Sequence, residues 1–514
     1  MKAYRCQGAI TVFLSLISVL LLSLLCTAVE SARIQGCRAK GAAALDMGLF
    51  SLFGAYEKEV LDRYDVFFLD GSEGTGSFGE EKLNDRLTDY MEYNIQPGKG
   101  LLLQGFDPFR MTLEQTQIMG FQLATDEKGA AFYQQAVRFM KENMGTEMIS
   151  ELLERQENAG KMEEAGKIYE EREKTVGEQM KRLEEEQKKI EQEKKEQEKR
   201  EAEENNGEVL VPETEAVKVP DSKNPLAVIG ELKKRGLVKL MIGDQKISEK
   251  KLGFSLPSTR WKKKGNLPVK KENSGLTADL LFQEYLFGRF SQFCSEKKEG
   301  VLDYELEYIL CGKNSDEKNL KSVINRLLLM REGANFLYLI NDPVKKQEAD
   351  AMALLLTGWI PVAGVQTVTS YALILAWACG ESLLDVRELL AGGKVPLLKE
   401  ADTWKLSLSQ IPELVGMLDR VDGSGGSGLS YEEYLQILFM MGSSGKYPMR
   451  TLDLIEGYVR TRPGLENFRA DQMVTKVKAK AEYCIPAVFL RVSGTFLKTG
   501  TAVQDYEIWG SFSY

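Results

Sequence analysis

Apolar and charged positions segregate into blocks along this chain, and each block has its own period. Residues 6–29 are 24 consecutive positions without a charge. A membrane-crossing helix needs about 20 apolar residues, so this block is long enough to span. Glu30, Ser31, Ala32 and Arg33 carry the helix forward without a breaker. Beyond residue 41 the apolar positions fall at Leu45, Leu49, Leu52 and Phe53, then Tyr56, Val60 and Tyr64, the spacing of an amphipathic helix over 41–64. Cys26-Thr27-Ala28 is only a fair signal-peptidase site, and Leu25 is too large to precede a lipoprotein cysteine. The expectation is therefore a retained anchor.

Residues 66–69 read as a short buried strand, 71–79 as a glycine-rich turn and 80–93 as a helix. Over 147–204 the pattern changes. Met162, Tyr169, Val176, Leu183 and Ile190 recur every seven residues in a sequence otherwise dominated by Glu, Lys, Arg and Gln. The positions three further on are Ala165, Arg172, Gln179, Glu186 and Glu193, so a coiled-coil seam is only half populated. Favourably oriented i,i+4 pairs such as Glu184–Lys188 and Glu191–Lys195 support the helix locally. Two readings follow: a stalk that self-associates through the stripe, or a solvated insertion.

After Asn205-Asn206-Gly207 the chain turns irregular, with strand candidates at 209–211 and 237–241. From Leu276 it reads as helical. Residues 351–380 form a second uncharged run, thirty residues long, interrupted by Gly358, Pro361 and Gly364. Two buried helices joined at Pro361 fit it better than a span. Glu381, Asp385 and Arg387 then continue the second helix as an amphipathic one. At the C-terminus, Val474, Val477, Ala479, Ala481 and Tyr483 lie mainly on an alternating pattern, with Lys476, Lys478 and Lys480 between them, which is strand spacing with one wet face. Residues 488–492 and 502–509 read as further strands.

The resulting architecture is α+β and mostly α: an N-terminal transmembrane helix, a long charged helix, and a helical body with a small C-terminal antiparallel sheet. Its divisions are 1–40 (anchor and juxtamembrane helix), 41–146 (first part of the body), 147–206 (charged, coiled-coil-like helix), 207–275 (irregular, with short strands), 276–470 (helical domain) and 471–514 (C-terminal strands).

Composition narrows the chemistry. The 514 residues contain no histidine, which removes Ser-His and Cys-His nucleophiles and imidazole zinc sites. Sixty-seven basic against 76 acidic side chains leave a net charge of −9, without the basic surplus of a nucleic-acid binder. The seven cysteines are scattered without a Cys-x-x-Cys; Cys6 and Cys26 sit in or beside the hydrophobic segment, and the five of the body read as core residues. Gly74, Gly76 and Gly79 spell a formal Gly-x-Gly-x-x-Gly, but a dinucleotide site also needs a βαβ unit and an acidic residue about 20 positions on. Asp422, Ser424, Leu429, Ser430 and Glu433 match positions of a calcium loop whose turn glycine is replaced by Ser427. Both are read as flexible turns. Arg260-Trp261-Lys262-Lys263-Lys264 is read as a solvated basic loop. Glu305 and Glu307, around Tyr304 and Tyr308, are the best carboxylates for a catalytic reading. No cofactor, metal site or catalytic set is expected, and the expectation is that the protein is not an enzyme.

The string GAITVFLSLISVLLLSLLCTAVESAR (8–33) resembles the N-terminal segment of TadE/TadG-like pilus-assembly proteins, in which a glycine precedes an uncharged helix ending in Glu or Arg. It departs from the processed members at Phe13, where they carry Glu. YDVFFLD (64–70), YNIQP (93–97), YELEYILCGK (304–313), NRLLLMREGANFLYL (325–339) and AGGKVPL (391–397) resemble an uncharacterised family of anchored proteins from clostridia-type bacteria, often associated with Tad-like pilus loci. The resemblance implies a membrane-anchored structural or assembly protein with protein partners in an envelope or pilus assembly, and no known activity. Gly8, Phe13, Leu21, Leu25, Glu30 and Arg33 would make up the anchor. Lys2 and Arg5 before the span favour a single pass with the N-terminus in the cytoplasm and the body outside. An anchored sensing or ligand-binding module is the alternative.

Overall fold

The computed structural model describes residues 7–95, 109–204, 220–243, 245–260, 262–424, 426–489 and 503–514. The chain is mostly helical and folds as two compact units: Met1–Glu142 with Phe254–Ser274 and Pro448–Tyr514, and Asn143–Gly253 with Gly275–Tyr447.

In the first unit, α1 (Gln7–Phe53) is a single helix of 47 residues. Gly54 follows it, and the expected 41–64 helix resumes only as α2 (Lys58–Tyr64). β1 (Leu69–Asp70), α3 (Glu80–Ile95), β2 (Thr112–Leu123) and α4 (Asp126–Asn143) come next. β3 (Met473–Pro486) is the central strand. It pairs antiparallel with β2, with β4 (Val503–Ser513) and, at Met473 and Val474, with β1. Its burial alternates as the sequence pattern requires: Val477, Ala479, Ala481 and Tyr483 point into the core. The distal half of α1 and helix α3 cover that face with Leu45, Leu49, Leu52, Leu83, Leu87 and Met91. Gly41 allows the close approach. A Cβ there would lie 2.8 Å from Ile508 and 3.0 Å from Tyr483, whose hydroxyl donates to the Gly41 carbonyl at 3.0 Å.

The second unit is helical: α5 (Thr146–Glu204), α6 (Pro225–Arg235), α7 (Leu237–Ile242), α8 (Leu276–Arg289), α9 (Glu305–Cys311), α10 (Asp316–Asn341), α11 (Pro343–Thr357), α12 (Val365–Leu390), α13 (Leu414–Leu418) and α14 (Tyr431–Met441). The strand expected at 237–241 is therefore helix α7, because leucine, lysine and methionine in a short apolar run suit either state and packing against α12 decides. The strand candidate 209–211 lies outside the described residues, as do 490–492 of the 488–492 candidate. The uncharged run 351–380 forms parts of α11 and α12, and 78% of the most apolar window of α12 is buried within the unit.

The long helix corrects the sequence reading. It is neither a free stalk nor a wholly solvated insertion. Met162, Ala165, Tyr169 and Val176 are buried against α10 and α12, and the Tyr169 ring meets Phe336 edge-on at 5.9 Å. α5 and α10 touch backbone to backbone: a Cβ on Gly333 would stand 2.5 Å from the carbonyl carbon of Ala165. Beyond Val176 the helix is polar nearly all round, and Leu183 and Ile190 are only half-buried.

Candidate functional site

Two features dominate: the junction between the apolar helix and the first unit, and a set of buried charges in the second.

Residues 8–25 of α1 are exposed on every side, with Phe13, Leu21 and Leu25 among the most exposed apolar side chains and Gly8 at the start. None of its most apolar stretch is buried in the body. At Glu30 the environment reverses. Glu30 (1% exposed) and Arg33 (5%) are buried, one turn apart, and paired at 2.6 Å. The Arg33 guanidinium also donates to the Pro486 carbonyl at 2.7 Å, and Glu30 accepts the backbone N–H groups of Val488 and Phe489. Burial pushes the Glu30 carboxyl up, but Arg33 and those two N–H groups outweigh it and hold it below the usual range. Of the six anchor residues read from the sequence, four thus face outward. The other two clasp the end of β3, fixing where the body begins.

In the second unit, Arg331, Asp385, Lys399 and Glu381 form an ionic network buried almost completely. Asp385 accepts from Arg331 at 3.0 and 3.1 Å and from Asn335 at 3.0 Å, and pairs with Lys399 at 2.7 Å. Lys399 also bonds Glu381, whose carboxylate takes the N–H groups of Lys405 and Leu406. Arg331 donates to the carbonyls of Pro396 and Leu397 and to the Tyr434 hydroxyl. Burial opposes the charge on Asp385, but Arg331 and then Lys399 hold its carboxyl low; burial and the charge of Asp385 push Glu381 the other way. The network stitches the loop 393–406 onto α10 and α12. Glu381 and Asp385 thus point inward, not outward as the amphipathic reading of that helix expects. The available signal was their place, two carboxylates one turn apart at the end of an uncharged run.

The other singled-out residues resolve into structural roles. Arg260 leaves the solvated loop expected for it: it forks onto buried Glu456 at 2.6 and 2.7 Å and bonds buried Asp471. Trp261 lies outside the described residues. The glycine-rich turn 71–79 is held by the Asp70 carboxylate, which accepts the N–H groups of Ser72 and Gly74. The strands on either side of this turn and its helix, β1 and β2, both pair antiparallel with β3. In the calcium-like loop, Glu433 is spent on a capping box with Ser430 that starts α14. Of the six described cysteines, Cys37 and Cys379 are buried, whereas Cys294 is exposed.

Glu305, Glu307 and Asp316 are buried around Tyr304, and each holds a loop. Glu305 accepts the N–H of Ser291, Asp316 those of Asp303 and Tyr304, and Glu307 that of Phe293 together with the Tyr431 hydroxyl at 2.7 Å. Burial pushes the Glu307 carboxyl up to about 7. Its folded value exceeds the unfolded one, so the folded state holds the extra proton. Stability is then lost as pH rises from about 4.5 through 7, by on the order of 3 kcal/mol. Denaturant unfolding of the detergent-solubilised chain at pH 5 and pH 8 should show this slope in the wild type and a flatter one in Glu307→Gln. Parallel slopes would assign the titration elsewhere.

A separate cavity of about 320 Å³ is lined by Met162, Leu329, Met330, Leu438 and Met441, with Lys167 and Arg326 among its polar lining residues.

The chain belongs to a family of unknown function (DUF5702), whose model matches residues 215–485, just over half of the sequence. No curated protein and no solved structure matches the chain. The buried network, the Arg260 fork and the hairpin of α11 and α12 all fall inside the matched segment, whereas the apolar helix precedes it.

Proposed function

We propose that this DUF5702 protein is a membrane-anchored extracytoplasmic scaffold, a structural or assembly component of a Tad-like pilus or cell-envelope apparatus, and that it works by contact and not by catalysis. One observation carries the reading. Residues 8–25 leave the body as an apolar helix exposed all round, and the same helix enters the body at the Glu30–Arg33 clasp. An exposed apolar helix of that length is unfavourable in water and stable in a bilayer. The resemblance of 8–33 to TadE/TadG-like segments supports the pilus assignment, and the absence of histidine supports a non-catalytic role. Lys2 and Arg5 support a cytoplasmic N-terminus. Self-association through the long helix would fall to Leu183 and Ile190, since Met162, Tyr169 and Val176 are buried. The methionine-lined cavity supports a second reading, an anchored ligand-binding module.

The full chain should stay with membranes through an alkaline carbonate wash, and removal of residues 1–25 should release a folded, soluble body. Cutting instead at residue 33 removes the clasp on β3 and should lower the melting temperature. An enzyme active only outside the cytoplasm, fused after Tyr514, should be active. Full-length protein released by carbonate would end the anchor reading, and an inactive fusion would reverse the orientation. Cells making only the chain without residues 8–25 should lack surface filaments; unchanged filaments would remove the pilus assignment.

A further inference from the structure

A cleft of about 520 Å³ opens in the first unit between the start of α4 and the segment 262–268. It brings Lys128 together with Lys262, Lys263 and Lys264, the basic cluster that the sequence reads as a solvated loop, against two carboxylates, Asp126 and Glu127. We propose that this cleft binds a phosphodiester-linked polyanion of the polyol-phosphate kind, an anionic polymer of the cell envelope; the inference rests on the anchor reading, which places the first unit outside the cytoplasm.

Both carboxylates are spent on the protein itself. Asp126 is buried and accepts the N–H of Leu123 at 2.7 Å and that of Gly265 at 3.0 Å. Glu127 accepts the N–H of Val269 at 3.0 Å and pairs with Lys271 at 3.7 Å. The lysine segment is held in place, because the N–H groups of Asn266 and Leu267 close onto the Phe121 carbonyl at 3.1 and 3.2 Å. Lys262 donates to the Pro257 carbonyl, and the Lys263 ammonium lies over the Phe78 ring at 4.1 Å. Lys128 and Lys264 are exposed and make no hydrogen bond or ion pair among the described residues. Glu127, Lys128 and Gly129 stand in succession in the left-handed region, at φ 47°, 64° and 83°, a strained turn of the kind that gathers at ligand clamps. A cleft lined mainly by one sign of charge concentrates counter-ions. Lysine ammoniums act as point charges and suit a row of phosphates, whereas a single planar carboxylate suits the arginine fork. Among the described residues no aromatic ring lines the cleft, so nucleic-acid bases have no platform to stack on.

The cleft also lies at the end of the sheet remote from the anchor. Leu123, beside its Thr125 wall, pairs with Val474 at the start of β3, whereas the Glu30–Arg33 clasp grips the other end at Pro486, Val488 and Phe489. α1 is unbroken and runs along the sheet, with Gly41 at Tyr483 and Phe53 against Phe512. The roughly 20 residues from Arg33 to Phe53 carry that end on the order of 30 Å beyond the clasp. Headgroups of the bilayer that holds α1 do not reach so far, so the anion belongs to a chain standing beyond the membrane.

The test follows the fluorescence anisotropy of labelled poly(glycerol phosphate) titrated with the full chain in non-ionic detergent micelles. Lys128→Gln together with Lys264→Gln should weaken binding about tenfold or more. The pair should also lower the slope of log affinity against log salt by roughly 1 per lysine, with an unchanged melting temperature. The same charge change on the exposed distal half of α5, Lys188→Gln with Lys189→Gln, should leave the affinity as it is. Equal losses from the two pairs, or none from the first, would overturn the cleft. Inorganic phosphate that competes as well per phosphate as the polymer would overturn the polymer, as would equal binding of polyglutamate or of a single-stranded oligonucleotide. Phosphatidylglycerol mixed into the micelles should preserve the difference between wild type and the cleft variant; its loss would put a lipid headgroup in the cleft instead. Flotation on vesicles reads the anchor separately. A chain that floats but binds no polymer refutes this inference alone, and one that binds polymer without floating refutes the anchor reading alone.

Discussion

Replacing Asp385 by alanine will destabilise the helical unit by roughly 3–5 kcal/mol, the cost of leaving a buried charge without its partner. Arg331 and Lys399 are both buried and both spend their charge on this carboxylate. Without it, Arg331 is left without a carboxylate and Lys399 with Glu381 alone, in a region that water does not reach, and the loop carrying the Pro396 and Leu397 carbonyls loses its fixed donor. Domains have only about 5–15 kcal/mol of stability in total, so this single change removes a large share. Lys161→Ala is the matched control. Its pair with Glu157 is exposed on both sides, at 61% and 72%, and an exposed pair contributes about 0–1 kcal/mol. Denaturant unfolding of the detergent-solubilised chain measures both. A loss below about 1 kcal/mol for Asp385→Ala would mean that the network is redundant with apolar packing around it.

The long helix divides into two halves with opposite expected outcomes. Deleting residues 161–204 removes Met162, Ala165, Tyr169 and Val176 from the core shared with α10 and α12. Truncating a large core side chain costs about 2–5 kcal/mol, so losing these together exceeds what a domain can bear, and the helical unit should fail to fold. Tyr169→Ala alone should cost about 3–5 kcal/mol. Gly333→Ala should also destabilise, because its Cβ would meet the backbone of Ala165 and not the movable end of a side chain. Deleting 181–204 should leave the melting temperature nearly unchanged, because that half is held mainly by exposed local pairs. Calorimetry and limited proteolysis distinguish these outcomes. Cooperative unfolding by the 161–204 deletion would refute the packing, and equal damage from the shorter deletion would extend it to the distal half.

What the sequence determines by itself is whatever a local period or a local run encodes. The 24 uncharged residues, the uninterrupted helix through Arg33, the long charged helix and the alternation of β3 each depend on neighbours a few positions away. For that reason the mostly helical fold, its small antiparallel sheet and the apolar N-terminal helix were legible. Strand β2 was not: its TLEQTQIMGFQL carries glutamines and three register irregularities against β3, so no clean alternation marks it. The fate of each charged residue lay wholly beyond local pattern. Arg260 finds Glu456 and Asp471 about 200 positions away, Arg331 finds Asp385 and Lys399, and Glu30 meets the end of β3. A charge in a sequence reads as solvent-facing because burying it alone costs several kcal/mol. Only the tertiary structure brings together the partners that make such burial tolerable, and so it alone decides which charges turn inward. The same holds for the apolar stripe of α5, whose period is visible in the sequence but whose partner is the chain's own α10 and α12.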